Sequence, residues 1–252
     1  MALGSYDCRM KDQMLYRELA KYYDLVYDWK QYEAEVKKVT NFIKKFKKSE
    51  GNRLLEAACG TGHHLQYLKD EFECMGIDLN TGILREARKR HPDIVFKRAD
   101  MMMMDLKKKF DVITCLFSSI GYVKTLPNLQ KTLKIFARHL KPGGVAIIEG
   151  WLEPDVYKAG SPGMKTYSSP DLVLARVDCG VRRGMISIMD MHFLIAEKNK
   201  PVRHYVDHHE LGLFTKKEFV ECMKKVGLEA TVIEGGLMKN RNLYIGMKPQ
   251  SP

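Results

Sequence analysis

Apolar and polar residues follow two different rhythms over residues 53–150 of the 252-residue chain. Short apolar runs predict β-strands, and segments with an apolar residue at every third or fourth position predict helices. The predicted strands are 53–58, 73–78, 94–98, 110–117 and 144–150, and the predicted helices between most of them are 62–71, 81–91 and 126–140. Strand and helix in turn, with apolar strands, indicate a parallel sheet covered by helices on both faces.

Two flanking regions have patterns of their own. Apolar residues recur at helical spacing over residues 15–46, and a break near residues 28–30 divides this region into two predicted helices. Residues 151–170 are rich in Pro, Gly and Ser and are predicted to form a loop. The region after this loop alternates with a period of two, which predicts antiparallel strands. These strands are 171–179, 184–196 and 202–211.

The end of the chain returns to the pattern of the core. Thr215 and Glu218 have the spacing of a capping box and open a predicted helix that ends at Val226. Strands are predicted at 228–233 and 241–247. The predicted parts are an N-terminal helical segment 1–50, a sheet core 51–150, an antiparallel β insertion 151–211 that roofs the sheet, and a C-terminal part 212–252 that completes the core.

The composition is that of an ordinary globular protein, with 45% apolar and 29% charged residues. No apolar run approaches the roughly 20 residues that cross a bilayer, and no signal-peptide pattern occurs in residues 1–20. We therefore expect a cytoplasmic protein with no membrane partner. The net charge of +11 fits either solvated lysine runs or an anionic partner, such as a charged substrate or a nucleic acid.

The cysteines and the adjacent histidines do not predict a metal site or a disulfide framework. The six cysteines have no short paired spacing; they are Cys8, Cys59, Cys74, Cys115, Cys179 and Cys222. The pairs His63-His64 and His208-His209 have no carboxylate or thiol at ligand spacing. Neighbouring side chains on a helix or strand also point in different directions. No metal is therefore expected.

A glycine turn follows the first predicted strand at Gly60-Thr61-Gly62. Glycine lets the backbone adopt unusual dihedrals and lets a ligand approach closely. Asp78 ends the second strand 18 residues after Gly60, where a carboxylate can accept hydrogen bonds from ribose hydroxyls. A dinucleotide site requires a third glycine, but position 65 is Leu. Glu56 is also unsuited to a pyrophosphate and suits a cationic amino-acid ligand, which favours S-adenosylmethionine.

Residues 56–62, Glu-Ala-Ala-Cys-Gly-Thr-Gly, resemble the first motif of the class I S-adenosylmethionine-dependent methyltransferases. Asp78, the pair Asp100-Met101 and the turn at residues 140–144 match further motifs of that family in the same order. The resemblance implies an α/β, Rossmann-like fold with a mostly parallel seven-stranded sheet whose last strand is antiparallel. It also implies that S-adenosylmethionine is the cofactor and S-adenosylhomocysteine the product. The implied cofactor-binding residues are Tyr32, Glu56, Ala58, Gly60, Gly62, Asp78, Asp100, Met101 and Leu116.

Further segments look like those of bacterial sugar-nucleotide N,N-dimethyltransferases of the desosamine and mycaminose type, namely residues 23–27, 116–122, 148–151 with Pro154, 203–209 and the tail 234–246. The similarity spans roughly residues 20–248 and implies methylation of the amino group of a dTDP-linked aminosugar. It places Tyr27, Trp151 and Arg241 at the acceptor, with Tyr122 orienting the amine and Glu149 attracting it as catalytic residues. Arg182 and Arg183 are further candidates for a diphosphate. Where the family has Glu-Pro-Trp-Trp, residues 149–152 read Glu-Gly-Trp-Leu, and the loop 155–170 differs as well.

Other functions remain open at the level of the sequence. A small-molecule methyltransferase with another N or O acceptor would have the same fold. A nucleic-acid methyltransferase commonly carries Asn/Asp-Pro-Pro-aromatic after the fourth strand, whereas residues 117–120 read Phe-Ser-Ser-Ile, and no RNA-binding module is visible. A non-catalytic S-adenosylmethionine-binding regulator is a third alternative. Exposed edges of the antiparallel roof make a homodimer an expectation.

Overall fold

The computed structural model describes residues 13–250. The first twelve residues of the predicted N-terminal segment, including Cys8, and the last two residues lie outside this range. The strands are β1 Arg53–Ala57, β2 Glu73–Asp78, β3 Val95–Arg98, β4 Phe110–Cys115, β5 Leu140–Glu149, β6 Pro162–Ser169, β7 Leu172–Cys179, β8 Val181–Arg183, β9 Ile186–Glu197, β10 Arg203–Gly212, β11 Glu229–Ile233 and β12 Leu243–Met247. The helices are α1 Tyr23–Val26, α2 Tyr32–Phe46, α3 His63–Leu68, α4 Thr81–Arg90, α5 Leu126–His139 and α6 Lys216–Lys225.

Seven strands form the central sheet, in the order β11-β12-β5-β4-β1-β2-β3. Strands β1 to β5 pair in parallel, and β12 runs antiparallel to both β5 and β11. The predicted α/β fold with an antiparallel last strand is therefore confirmed. Every residue of β4 is buried, as expected for a central strand that is covered on both faces.

The helices divide between the two faces of this sheet according to their apolar stripes. Residues of α5 and α6 pack on one face, where Phe136 and Phe219 are almost fully buried. Residues of α2, α3 and α4 pack on the other face, where Val39, Leu65 and Leu84 are fully buried. The chain leaves β1 toward β2 on one side, whereas β4 lies on the other side of β1. This reversal opens a crevice at the carboxyl ends of β1 and β4, the usual ligand position in such sheets.

A second, antiparallel sheet has the order β10-β9-β7-β6, and β8 pairs with β9. Its inner face carries buried apolar side chains, among them Leu174, Phe193 and Ile195, which pack against the N-terminal segment and Ile83 of α4. The predicted strands of this region are confirmed. The predicted loop 151–170 is wrong for Pro162–Ser169, because β6 pairs along its whole length with β7. That pairing satisfies its backbone although its Pro, Gly and Ser content is typical of a loop.

The segment before α2 also differs from its prediction. Residues 14–26 form two short 3₁₀ turns, Met14–Tyr16 and Ala20–Tyr22, followed by the single turn of α1, rather than one continuous helix. The backbone N–H groups of Met14 and Leu15 donate to the Asp207 carboxylate on β10. Tertiary contacts therefore replace the hydrogen bonds that a regular helix would make. Between residues 13 and 250, no helix combines the length and apolar character needed to span a membrane.

Candidate functional site

A deep cleft lies between the carboxyl ends of the central strands and the inner face of the second sheet. It brings together most of the residues predicted from the sequence. The predicted residues that line it are Tyr27, Ala58, Gly60, Asp78, Asp100, Met101, Tyr122, Trp151 and Arg241. The predicted residues Tyr32, Glu56, Gly62, Leu116 and Glu149 do not line it.

The glycine turn forms one wall of the cleft. Gly60 has a φ of +56° and Gly62 a φ of +80°, both in the left-handed region that favours glycine. A Cβ atom on Gly60 would meet no atom within 4 Å and would extend into open space. A Cβ on Gly62 would lie 3.2 Å from the side chains of His91 and Phe96. Gly60 therefore keeps space for a ligand, and Gly62 allows close packing behind the turn.

Asp78 connects the end of β2 to this turn. Its carboxylate accepts hydrogen bonds from the N–H groups of Gly60, at 3.1 Å, and Asn80, at 2.9 Å. Burial raises the pKa of Asp78 to about 6, although these two hydrogen bonds act in the opposite direction. A carboxylate accepts about four hydrogen bonds, so Asp78 retains capacity for two ligand hydroxyls. Farther along the cleft, Asp100 accepts a hydrogen bond from the N–H of Met102 at 2.8 Å.

A buried network of charged groups lies behind the turn. His64 contacts Glu56 through Nδ1 at 3.2 Å and Glu35 through Nε2 at 3.1 Å. Lys30 donates to the same Glu35 carboxylate. Burial alone would lower the pKa of His64, but the hydrogen bonds with Glu35 and Glu56 outweigh it and raise the pKa to about 9. The network is therefore an imidazolium between two carboxylates, and the ring of Tyr32 stacks on neighbouring His63 with centroids 4.5 Å apart.

Four buried carboxylate oxygens lack a hydrogen-bond partner among residues 13–250, and two of them are Oε2 of Glu56 and Oε1 of Glu149. Both residues lie at or near the carboxyl ends of neighbouring parts of the sheet, β1 and β5. Such oxygens are costly unless a donor or cation satisfies them. S-adenosylmethionine carries an ammonium and a sulfonium at one end and an adenosine at the other. The residues present therefore fit this cofactor, since the orphaned oxygens complement its positive charge and Asp78 complements its ribose.

Tyr122 belongs to a second hydrogen-bonded group, which lies on the opposite wall of the cleft. Its hydroxyl lies 2.8 Å from that of Tyr16 and 2.7 Å from Nδ1 of His209. Nε2 of His209 lies 2.7 Å from the Asp207 carboxylate. Burial raises the pKa values of Tyr16 and Tyr122 well above the usual range, so both hydroxyls are protonated. The sequence resemblance included the segment that contains Asp207 and His209, but it did not single out either residue.

Glu149 lies behind the cleft, with its side chain fully buried. Its Oε2 accepts a hydrogen bond from the N–H of Phe117 at 2.6 Å. Burial raises the pKa of Glu149, and the nearby charges of Arg241 and Lys30 act in the opposite direction. Phe117 and the next residue, Ser118, have positive φ angles. The hydrogen bond to Glu149 thus stabilises a backbone turn with unfavourable φ angles. The Phe117 ring in this turn packs against Tyr27, with ring centroids 5.0 Å apart.

Four cationic side chains line the cleft. Lys124 pairs with Glu210, and the other three are Arg241, Arg176 and Lys165. The guanidinium of Arg241 lies 4.6 Å from the centre of the Trp151 ring, and the indole N–H of Trp151 donates to Ser187. Arg176 on β7 and Lys165 on β6 also line the cleft, and neither was predicted. The period-two pattern of β7 places Arg176 on the same face as buried Leu174, whereas Lys165 was hidden by the wrong loop prediction. Arg182 and Arg183 are exposed on β8 and do not line the cleft.

In the part of the chain that the structure describes, no group of three or more His, Cys, Asp or Glu side chains has a geometry that could hold a metal ion.

Known proteins are similar to this chain in both sequence and fold. Residues 54–144 match the model of a methyltransferase domain. The chain is 36% identical to dTDP-3-amino-3,4,6-trideoxy-α-D-glucopyranose N,N-dimethyltransferase of Streptomyces venezuelae, over 90% of this chain and 97% of that protein. The crystal structure of Streptomyces venezuelae DesVI matches with a TM-score of 0.85 at 35% identity and covers 92% of this chain and 98% of that one.

A structure with bound cofactor is also similar. S-adenosylmethionine-bound CalS10, an amino pentose methyltransferase from Micromonospora echinaspora, matches with a TM-score of 0.80 at 28% identity, over 90% of this chain and 96% of that one. The glycine turn, Asp78 and the identity to a methyltransferase over nearly the whole length lead to one conclusion. The chain belongs to the class I S-adenosylmethionine-dependent methyltransferase family, and S-adenosylmethionine is its cofactor.

Proposed function

We propose that this protein transfers methyl groups from S-adenosylmethionine to the amino group of a nucleotide-linked aminosugar. The observation that carries the proposal is a single cleft whose one wall is the glycine turn and whose other wall holds tyrosine hydroxyls and cations. Two relatives that are similar over nearly the whole chain are named as N,N-dimethyltransferases of dTDP-linked aminosugars, and CalS10 is named as an amino pentose methyltransferase. The high positive charge of the protein also suits an anionic substrate.

The cofactor side of the proposal assigns a role to each predicted residue. Asp78 accepts the ribose hydroxyls, Ala58 and Gly60 let the ligand approach the backbone, and Asp100 with Met101 meets the adenine. Glu56 and Tyr32 act from behind the cleft at the methionine end, since neither lines it. Gly62 and Leu116 act through packing: Leu116 is buried, and a Cβ on Gly62 would crowd its neighbours.

The acceptor side uses the three cations for the diphosphate and the tyrosines for the amine. Arg241 and Arg176 present guanidinium groups, which bind phosphate oxygens through forked hydrogen bonds. The Trp151 ring packs against the guanidinium of Arg241, and the Tyr27 hydroxyl accepts a 3.5 Å hydrogen bond from Arg176. Lys165 adds a flexible charge near the rim, 5.0 Å from the centre of the Trp29 ring.

Orientation accounts for most of the proposed rate enhancement. When bound, S-adenosylmethionine supplies an activated methyl group on its sulfonium. The tyrosine wall and the cations hold the acceptor nitrogen in line with that methyl, and the roof excludes water. Positioning of this kind contributes on the order of several kcal/mol. Tyr122 orients the amine through its hydroxyl, and Glu149 contributes by fixing the turn at Phe117 rather than by touching the amine.

A methylation assay with mass spectrometry tests the proposal. The protein is incubated with S-adenosylmethionine and dTDP-3-amino-3,4,6-trideoxy-α-D-glucopyranose, and the sugar nucleotide should gain one or two CH₂ units. The matched control replaces the amine by a hydroxyl at the same carbon, which should remain unmodified. An unmodified aminosugar beside a methylated RNA, alcohol or unrelated amine would assign a different acceptor.

We also infer a homodimer in the cytoplasm. The outer face of the second sheet exposes Val173, Val177 and Leu194, each 46–50% accessible, on adjacent strands β7 and β9. Such a patch on paired strands is typical of an interface. The five cysteines of the described region are all free thiols, which is the usual state in a reducing compartment.

A further inference from the structure

A continuous chain of hydrogen bonds runs from the cleft into the core of the second sheet. It passes from Tyr16 to Tyr122 at 2.8 Å, to Nδ1 of His209 at 2.7 Å, and from Nε2 of His209 to Asp207 at 2.7 Å. Tyr16 and Tyr122 line the cleft. His209 is 1% exposed and Asp207 is fully buried, so within residues 13–250 they reach a ligand through the tyrosines.

Asp207 determines the direction of this chain. It accepts hydrogen bonds from the N–H groups of Met14, at 2.7 Å, and Leu15, at 3.1 Å, so it acts as an acceptor-only carboxylate. Nε2 of His209 must then carry the proton that Asp207 receives. Nδ1 of the neutral ring is therefore an acceptor, and the Tyr122 hydroxyl donates to it. The remaining hydrogen bond requires the Tyr16 hydroxyl to donate to Tyr122.

The two tyrosines can pass a proton but cannot retain a charge. Burial raises the pKa of each phenol well above its usual range, which opposes formation of a tyrosinate. On the cleft side, Nδ1 of His209 accepts from the Tyr122 hydroxyl, and on the other side Nε2 faces the Asp207 carboxylate. This arrangement stabilises an imidazolium. The titratable groups in contact with its ring are Tyr16, Tyr122 and Asp207.

We propose that the Tyr16–Tyr122 hydroxyl pair relays the proton of the acceptor ammonium to Nδ1 of His209, where Asp207 stabilises it. This inference rests on the proposed amine substrate, because an ammonium has no lone pair for attack and must lose a proton first. The N–H bond of the ammonium breaks as an O–H bond forms at Tyr16, and the original O–H bond of Tyr16 breaks as an O–H bond forms at Tyr122. The O–H bond of Tyr122 breaks as an N–H bond forms at His209. Both phenols end neutral, and the proton leaves by the same route when product has left and water has entered.

His209 and Asp207 are therefore positioning residues that act through Tyr122, and a pH profile distinguishes this role from a structural one. In native protein, kcat for the dTDP-3-amino sugar should stay high below the pKa of the substrate amine, because His209 removes the proton within the complex. In His209→Gln, only acceptor that is already deprotonated reacts. Its kcat should be about 100-fold lower at neutral pH, within the range for general base catalysis. The difference should disappear above the pKa of the amine.

Two more variants complete the experiment. Tyr122→Phe interrupts the relay and leaves His209 and Asp207 in contact. It should therefore give the same shifted pH profile even if His209→Gln folds poorly. His208→Gln is the matched control, since His208 lies on the opposite face of β10 against Asp190, and its profile should be native. A loss by the same factor at every pH would overturn the relay.

Failure of the proposed function has a different signature. If native protein does not methylate the aminosugar at any pH, although S-adenosylhomocysteine binds, the acceptor assignment is wrong. If native protein is active and the variants keep the native pH profile, the acceptor assignment stands and the relay is wrong.

Discussion

The backbone N–H of Gly60 donates a 3.1 Å hydrogen bond to the carboxylate of Asp78. This contact joins the turn after β1 to the end of β2. It holds together the glycine turn and the Asp78 carboxylate, both of which a bound ribose would contact. Gly60 has a positive φ, and the position that a Cβ would occupy on it is empty. One glycine thus orients the carboxylate and keeps the space that the cofactor fills.

Gly60→Ala should reduce cofactor affinity far more than stability. The positive φ costs an alanine about 1 kcal/mol, and no protein atom within 4 Å adds a clash. The methyl group, however, would occupy ligand space. Gly227→Ala is the matched control, because Gly227 has a φ of +81°, no neighbour within 4 Å and a position after α6. Thermal unfolding should show similar losses for both variants. Calorimetry with S-adenosylhomocysteine should show weaker binding for Gly60→Ala alone, and equal affinities would contradict this role.

Affinity for S-adenosylhomocysteine should fall as the pH decreases through 6. Burial raises the pKa of Asp78 to about 6 in the ligand-free protein, against 3.8 for an ordinary Asp. Ribose hydroxyls donate to the carboxylate, so binding favours the ionised form and lowers that pKa. Below pH 6 binding must therefore release a proton, and affinity should fall by up to about tenfold per pH unit.

Calorimetry between pH 5 and 7, chosen as about one unit on either side of that pKa, checks this prediction. Asp78→Asn should bind weakly with little pH dependence. Asp93→Asn is the control, since Asp93 is an exposed carboxylate paired with Lys69, and it should retain the native dependence. A native affinity that does not change across this range would contradict the prediction.

Stability should decrease as the pH rises from 6.5 to 9 because of His64. The pKa of His64 is raised to about 9 by Glu35 and Glu56, above its ordinary value of 6.5. A raised pKa stabilises the folded state fully below 6.5, and this contribution is lost as the pH rises through 9. The contribution of His64 to the free energy of unfolding is up to about 3 kcal/mol. Urea denaturation should show this slope in native protein and in the exposed-site control His204→Gln. The same slope in His64→Gln would assign it to other groups.

Arg241→Gln should weaken acceptor binding and leave cofactor binding intact. Loss of charge-assisted hydrogen bonds to a diphosphate costs about 1.5–3 kcal/mol, which corresponds to a KM increase of about 10- to 150-fold. Arg182→Gln is the control, because Arg182 lies on β8 outside the cleft. Steady-state kinetics with the dTDP-aminosugar measures both variants. Equal KM values for Arg241→Gln and native protein would exclude the diphosphate contact.

Leu194→Lys should convert the inferred dimer to a monomer. Leu194 is 50% exposed on the outer face of β9, between Ala175 of β7 and His204 of β10. A charge at the centre of an apolar interface would be buried without a partner. Light scattering after size exclusion measures the mass. Lys165 and Arg176 lie on the inner face, so acceptor KM should not change. A native monomer would refute the interface.

Local pattern was sufficient to predict the elements of the central sheet. Strand β2 spans the predicted residues 73–78, and β4 and α5 differ from their predictions only at their ends. These elements are short-range features, since apolar periodicity and caps act over neighbouring residues. The glycine turn and the acid 18 residues later were visible for the same reason, because the βα unit is local.

Contacts between distant segments could not be derived in this way. Tyr16 and Tyr122 are 106 residues apart, and Tyr122 and His209 are 87 apart. The sequence resemblance named Tyr122 but gave no partner for it. Glu149 was expected at the amine, whereas packing of β5 places it behind the cleft against Phe117. Lys165 lies in the site because its segment, which has a loop-like composition, pairs with β7 and forms strand β6.

The sequence by itself determined the parallel α/β core, the glycine turn and the donor, because each depends on residues close together in the chain. The tertiary structure alone decided which side chains face the acceptor. Pairing of the second sheet and docking of the N-terminal turns on Asp207 bring together residues from three separate segments. The burial and charge of these side chains depend on the neighbours that pack around them, so the local sequence does not determine them.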